Sequence, residues 1–446
     1  MSNEQQFDEH GQQRGAGPGP EMLLEPRQER RLIAHGGCTR HVDFLVRVGE
    51  APQADEADRM PLNVALVLDR SGSMSGEKIR TAKKAALALL DRLTEHDAVG
   101  VVVFDDHIDT IQAVEKVTPV LKAHVRAELA RIEARANTAL HEGWLTGCKA
   151  IAEVLGAGSP DALARCFLLT DGQANVGITE PEAIAGEAAN IREHTGIGTS
   201  TFGIGEDYSE ELLGPMAVAG GGQFHHLRTA GEIGTTFVRE LGEMLAVAAI
   251  NVRLELEVSA NLPVDVLSAY RAAPDAAATH WTVALGDLLS REERHVTVRF
   301  TFPPQAEGRE QETLRARLVW TVKGEERRTE WRDVVFTYAD AAACDAEPFD
   351  PTVMHWVGQH LSDRAQIRSV SFSKGGEYGL AAAEVREAMS QVSPYAAESP
   401  ELQEDLRALE ELAQQIERGE MDPGNMKERY YRSQTRSSGK RDLRNE

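Results

Sequence analysis

Five apolar runs that alternate with amphipathic stretches between Pro61 and Ala249 limit this chain to one broad architecture. The runs are Leu62–Leu68, Ala98–Phe104, Arg165–Thr170, Gly198–Ile204 and Gln223–Leu227. Around them, Glu77–Leu93, Pro119–Glu133, Leu140–Leu155, Pro181–His194, Ser209–Ala219 and Glu232–Ala248 follow helical patterns. In the first of these, Ile79, Ala82, Ala86, Leu89, Leu90 and Leu93 fall at helical spacing. A strand that is apolar at nearly every position has no face left for water. Such strands joined by helices predict a doubly wound, mostly parallel α/β sheet covered on both sides. His107–Ile111 is expected to add a short antiparallel edge strand.

Outside that block the apolar period changes to two. Ile250–Val258 puts Val252, Leu254, Leu256 and Val258 on one face, and Thr279–Leu285, His295–Phe302, Leu314–Val322 and Thr329–Tyr338 alternate likewise. Short strands with no helices between them predict an antiparallel β-sandwich. Thr39–Val48 also alternates, yet it precedes the α/β block and has no partner there. It is expected to join the later strands. The α/β domain (61–249) would then be inserted between a first sandwich strand with its acidic linker (32–60) and the rest of the sandwich (250–340). Helical patterns return over 350–418, at Thr352–Ile367, Gly379–Met389 and Pro400–Arg418. Residues 1–31 read as a disordered lead. Residues 419–446, basic with Ser, Thr and Tyr interleaved, read as a mobile tail suited to solvation or to phosphorylation-dependent docking.

The chemistry begins where the first apolar strand stops, in Leu68-Asp69-Arg70-Ser71-Gly72-Ser73-Met74-Ser75. Oxygen side chains at alternate positions suit a small divalent cation that prefers oxygen ligands in an octahedron. Gly72 is expected to turn the backbone so that both serines face inward. Two more oxygen residues fall near later strand ends, Thr138 in Ala136-Asn137-Thr138-Ala139 and Asp171 in Thr170-Asp171-Gly172. Open α/β sheets bind ligands outside the carboxyl ends of their strands, where all five residues are expected. With only two carboxylates the ion would not be charge-saturated. An Asp or Glu from a partner protein would then be favoured at an open coordination position.

The D-x-S-x-S run with Thr138 and Asp171 resembles the metal-ion-dependent adhesion site of von Willebrand factor A domains, and residues 61–249 resemble that domain as a whole. The wider layout is similar to bacterial A-domain proteins related to inter-alpha-trypsin inhibitor heavy chains and to calcium-activated chloride channel homologues. The resemblance implies a metal site of Asp69, Ser71, Ser73, Thr138 and Asp171, with magnesium as the ion and manganese or calcium as alternatives. It implies a scaffold or adaptor that holds a partner carboxylate through the ion, not an enzyme. Two other functions are carried forward. One is a metal-dependent hydrolase or phosphatase using the same ion. The other is a structural subunit partnering an ATPase of the chelatase or MoxR type. The Thr loop departs from the family in reading Arg135-Ala136-Asn137-Thr138, without the Gly that often precedes the Thr.

Enzyme signatures are weaker. A phosphoryl-accepting Asp would need a second Asp where Ser71 stands. Met74 occupies the centre of the only G-x-S-x-G-like frame, and Gly203-Ile204-Gly205 lacks the third Gly of a dinucleotide fingerprint. His141 and Asp105 are the candidate bases nearest the site in sequence, and His225-His226 reads as a surface or sandwich contact. The net charge of −23 argues against nucleic acid or an anionic membrane as partner. No apolar run approaches the ~20 residues of a membrane span, and the first residues lack the apolar core of a secretory signal. A bacterial cytoplasmic location is expected. Cys38, Cys148, Cys166 and Cys344 form no metal-binding pair in sequence and read as free thiols. Trp281, Trp320 and Trp331 fall in alternating strands and read as sandwich core.

Overall fold

In the computed structural model, residues 20–50, 60–135, 137–155, 162–171, 176–205, 208–227, 232–304, 310–322, 324–420 and 422–437 are described. The lead over 1–19, most of the acidic linker (51–59), Ala136, Gly172 and the tail from 438 onward lie outside them.

The chain opens on three strands, β1 (Met22–Gln28), β2 (Leu32–Ala34) and β3 (Cys38–Val48). It then enters the α/β domain. There the elements run β4 (Leu62–Asp69), α1 (Glu77–Arg92), β5 (Ala98–Phe104), β6 (Ile108–Lys116), α2 (Pro119–Arg131) and α3 (Leu140–Leu155). They continue with β7 (Leu163–Thr170), α4 (Pro181–Thr195), β8 (Ile197–Ile204), α5 (Glu210–Ala219), β9 (Gly221–Leu227) and α6 (Glu232–Leu245). The sheet order is β6-β5-β4-β7-β8-β9, with only β6 antiparallel to its neighbour. Every residue of β4, β5, β7 and β8 is buried, as strands covered on both faces require. From β4 the chain moves outward to β5 and β6, then returns to β7 on the other side of β4. The order of winding therefore reverses between β4 and β7, and Asp69 and Asp171 close those two strands.

Helix α3 carries the Thr138 loop and lies unusually close to the sheet. A side chain at Gly143 would come within 2.6 Å of the Phe104 ring, and one at Gly147 within 2.4 Å of Val67. Only glycine permits that approach. Trp144, fully buried between them, anchors the helix through Nε1 to Thr199 Oγ1 at 3.1 Å.

The antiparallel strands that follow are β10 (Val247–Glu257), β11 (Val264–Val266), β12 (Arg271–Pro274), β13 (His280–Leu289), β14 (Glu293–Phe302), β15 (Gln311–Val322), β16 (Glu325–Arg328) and β17 (Arg332–Ala339). One sheet runs β1-β3-β14-β11 and the other β12-β13-β10-β15-β17-β2, with β16 beside β15. β3 pairs with β14 from Cys38↔Phe302 to Arg47↔Glu293. The α/β domain is thus inserted in an antiparallel sandwich. Val42, Phe44 and Val46 of β3 meet Val296, Val298 and Phe336 in the sandwich core. Burying each such side chain contributes roughly 1.5–3 kcal/mol.

Five helices close the described chain: α7 (Ala341–Ala346), α8 (Pro351–Lys374), α9 (Tyr378–Val392), α10 (Pro400–Arg418) and α11 (Pro423–Ser437). α8 lies on the outer face of β3 and β14. There Trp356 stacks on His295 at 3.8 Å, and His360 Nδ1 meets Thr297 Oγ1 at 3.0 Å.

Several expectations are corrected. The lead expected to be disordered to residue 31 contains β1, because Met22 and Leu24 join the sandwich core and the backbone completes the edge beside β3. The tail expected to be mobile from 419 contains α11, whose Tyr430 and Tyr431 pack against Phe224 of the α/β sheet. Lys427 of α11 reaches the Tyr208 carbonyl at 2.5 Å and Glu210 Oε2 at 2.7 Å. His225 and His226 are also buried instead of superficial. They bond Glu240 at 2.9 Å and the Tyr208 hydroxyl at 2.5 Å. Trp320 is in the sandwich core, whereas Trp331 lies under Arg317 and Arg315 as a cation–π platform.

Candidate metal centre

The end of β4 becomes a site because its backbone turns at once. Gly72–Met74 forms one 3-10 turn, closed by the Met74 amide on the Ser71 carbonyl at 3.0 Å. The left-handed residue that this turn needs before α1 is Gly76 (φ 78°), not Gly72. The Ser71 amide donates to Asp69 Oδ1 at 2.7 Å, folding the carboxylate back over the loop. Ser71 and Ser73 hydroxyls lie 3.1 Å apart, and the Ser73 hydroxyl donates to Asp171 Oδ1 at 2.8 Å. Four of the five residues singled out in the sequence therefore form one connected cluster across the β4–β7 reversal.

Thr138, the fifth, is buried in the loop before α3. That loop is pinned to the same edge, since the Arg135 amide donates to the Arg70 carbonyl at 2.8 Å and the Ala139 amide to the Asp105 carbonyl at 2.7 Å.

Two groups of the cluster were not read from the sequence. The Thr170 hydroxyl donates to Asp69 Oδ2 at 2.5 Å. Lys78, one turn into α1, places its ammonium 2.5 Å from Asp171 Oδ2. The neighbouring Thr of T-D-G was a visible signal for the first. Helical spacing from Ser73 placed Lys78 near the edge but did not aim it.

Asp69 and Asp171 have no solvent exposure. Burial pushes Asp69 up to about 6, against the hydrogen bonds from Thr170 and Ser71, and the Asp171 charge adds to the rise. A buried carboxylate in that condition gains from a cation beside it. Asp69 Oδ1 accepts from the Ser71 amide and Oδ2 from the Thr170 hydroxyl, and an ionised carboxylate can accept further bonds or an ion at its remaining lone pairs. Carboxylate and hydroxyl oxygens converging from separate loops form the donor set that a hard divalent cation takes.

The two candidate bases are committed elsewhere. Asp105 accepts from Arg70 Nε at 2.9 Å and from Arg135 Nε at 2.6 Å. Burial opposes its ionisation, but these bonds and the His107 amide prevail and hold it down to about 2. His141 turns its Nε2 to Glu187 at 2.6 Å, tying α3 to α4.

The von Willebrand factor type A domain family matches residues 63–237. The fold and the arrangement at the β4–β7 reversal agree with that match. This chain carries a von Willebrand factor type A domain. Similar proteins extend the comparison. An uncharacterised protein of Synechocystis sp. is 33% identical over 218 residues, 48% of this chain and 49% of that one. Human inter-alpha-trypsin inhibitor heavy chain H4 is 33% identical over 173 residues, 36% of this chain and 18% of that one. The chain thus spans about half the length of the first relative and less of the second. Among solved structures, the von Willebrand factor type A protein of Catenulispora acidiphila matches with a TM-score of 0.67 at 18% identity, covering 85% of this chain and 88% of that one. The ArnB paralog VWA2 of Sulfolobus acidocaldarius matches with a TM-score of 0.60 at 19% identity, covering 94% and 99%. The fold shared with these two therefore extends well beyond the A domain.

Proposed function

We propose that the A domain binds one divalent cation, magnesium by preference, through Asp69, Ser71, Ser73, Thr138 and Asp171, and uses it to hold an Asp or Glu side chain of a partner protein. The observation that carries this reading is the joining of Asp69, Ser71, Ser73 and Asp171 across the β4–β7 reversal, where α/β sheets bind ligands. Manganese and calcium are the alternative ions, since both accept the same oxygen donors.

Ser71 and Ser73 supply neutral oxygens, and Asp171 supplies charge next to them. Asp69, held by the Ser71 amide and Thr170, orients the loop and adds the second negative charge. The bound ion supplies a Lewis-acidic position that a partner carboxylate can complete. Lys78 must turn away from Asp171 for full access, and its side chain is partly exposed.

The chain in this reading is a scaffold or adaptor, not an enzyme. Support comes from Asp105 and His141, whose hydrogen bonds engage them with two arginines and with Glu187. A cytoplasmic location belongs to the same reading.

Calorimetric titration of the full chain with magnesium tests the proposal. Saturable binding to the wild type, lost in Asp69→Ala with an unchanged far-UV spectrum, is the expected result. Equal affinity in both would overturn the site. Capture of a carboxylate-bearing partner that persists in chelator would overturn the bridging role.

A further inference from the structure

Helices α8, α10 and α11 enclose a cleft of about 850 Å³ on the side of the helical unit. Its volume is in the range of ligand sites, ~300–1,000 Å³, but its lining is not the usual apolar one. α10 is strongly two-sided. Leu402, Leu409, Leu412 and Ile416 bury one face against the other helices, and the cleft receives the acidic face with Glu404 and Glu411. The opposite wall is α11, with Arg429 and Arg432, and the floor is α8, with buried Asp363 and Gln366. In a helical bundle these inward stripes would ordinarily be apolar.

The two walls are joined by one strut. Arg436 donates from Nε and Nη2 to Asp363 Oδ1 at 2.9 and 2.6 Å, and from Nη1 to Asp405 Oδ1 at 2.7 Å. That guanidinium is fully engaged. Beyond the strut, among the described residues, no ion pair joins Glu404 or Glu411 to Arg429 or Arg432. The single pairing of Arg432 is with Glu428 of its own helix, at 3.8 Å. Glu411 still acts on Arg429 through its charge.

Six carboxyl groups and three guanidinium groups line the cleft, so acidic groups outnumber basic ones even with Asp363 set aside. Concave walls of one dominant sign focus the potential and concentrate ligands of the other sign. Asp363 on the floor is engaged by Arg436 and raised to about 7 by its burial, so the free negative charge of the cleft lies on its walls.

We propose that the α8–α10–α11 cleft binds an extended basic segment of a partner protein, with its lysine or arginine side chains directed at Glu404 and Glu411. A peptide fits better than a small amine because the cleft runs along two helix faces, from His355 to Gln366 on α8 and from Glu401 to Glu411 on α10. This surface is separate from the cluster at Asp69 and Asp171 and does not depend on an ion there.

The test uses the full chain in chelator at low salt, with fluorescence anisotropy of a labelled hexalysine peptide. The expected result is saturable one-to-one binding that Glu404→Gln/Glu411→Gln weakens by about tenfold or more, ~1.4 kcal/mol. A control with the same charge change at exposed acids elsewhere, Glu115→Gln/Glu325→Gln, should leave the affinity within about twofold. In the opposite direction, Arg429→Gln/Arg432→Gln should tighten binding, a result that misfolding could not produce. Equal weakening by both acidic pairs would mean diffuse attraction to an acidic protein and would overturn the site. So would an unchanged affinity in the cleft variant. Spermine that displaces the peptide completely at matched charge would overturn the assignment to a peptide.

Discussion

The central strand β7 connects two clusters of charge that behave in opposite ways. At its start, Arg165 lies with Arg192 around Asp287 of the sandwich. Asp287 also accepts the Asn251 amide at 3.1 Å, and the spare guanidinium nitrogens reach the carbonyls of Gly221 and Gly196 at 3.0 and 2.7 Å. At its end, Asp171 and Asp69 share a pocket with two serines, a threonine and one lysine. Both clusters are buried. The lower one is nearly closed: its carboxylate and most of its guanidinium nitrogens bond protein partners, with Arg165 Nε left as a buried donor. The upper one is left acidic, with two carboxylates against one ammonium among the described residues and that ammonium on a partly exposed side chain. The contrast teaches how to separate structural charge from charge held for a ligand. Burial alone does not distinguish them; the completeness of pairing does.

The largest effect should come from the closed end. Asp287→Ala leaves two buried arginines without their carboxylate and should cost about 3–5 kcal/mol in urea unfolding, with magnesium affinity unchanged. A loss under ~1 kcal/mol would mean that pairing there holds little.

Next is the pH response of Glu240, which borders the same end. Burial would raise its pKa, but the hydrogen bond and charge of His225, the Arg165 charge and the Ser200 hydroxyl prevail and hold it at about 2. A carboxylate depressed in the folded state stabilises above its unfolded value of 4.5 and loses that contribution as pH falls towards 2. Between those limits the wild type should lose on the order of 3 kcal/mol more than Glu240→Gln. Parallel curves for the two proteins would remove Glu240 from the acid response.

At the open end the effects are on binding. Lys78→Met removes a cation 2.5 Å from Asp171 and should tighten magnesium binding by about tenfold in calorimetry, ~1.4 kcal/mol. Weaker binding would make Lys78 a support of the site and not a competitor. The smallest effect is expected from Asp69→Asn in chelator. It relieves a buried charge while keeping the shape, so unfolding should move by less than ~1 kcal/mol. A loss as large as that of Asp287→Ala would erase the distinction between the two ends.

The upper cluster was legible because its residues are adjacent in sequence or sit at the ends of apolar runs. Asp69, Ser71 and Ser73 needed only the strand before them, and Asp171 needed the run Arg165–Thr170. The inserted arrangement was legible from a strand without a local partner, Thr39–Val48. The closed end was not, because Arg165, Arg192 and Asp287 come from β7, α4 and β13 and no periodicity links them. α11 escaped for a related reason. Its buried face is made of Tyr430, Tyr431 and the stem of Lys427, residues that a polar, basic composition hides. β1 was obscured by its own sequence, since Glu25, Arg27 and Gln28 break the alternation of Met22 and Leu24.

The insertion also orders events at birth. Thr297 hydrogen-bonds Asp43 across 254 residues of chain, so β3 leaves the ribosome long before β14 exists to pair with it. Closing so long a loop as a free coil is entropically costly and slow. Folding of the A domain first would remove most of that length, as expected where domains emerging from the ribosome fold N-terminal first. In doing so it brings the end of β3 near the start of β10. Variants that slow the A domain should therefore leave nascent chains with unpaired sandwich edges, and the price would be aggregation during synthesis, even where the finished protein is stable.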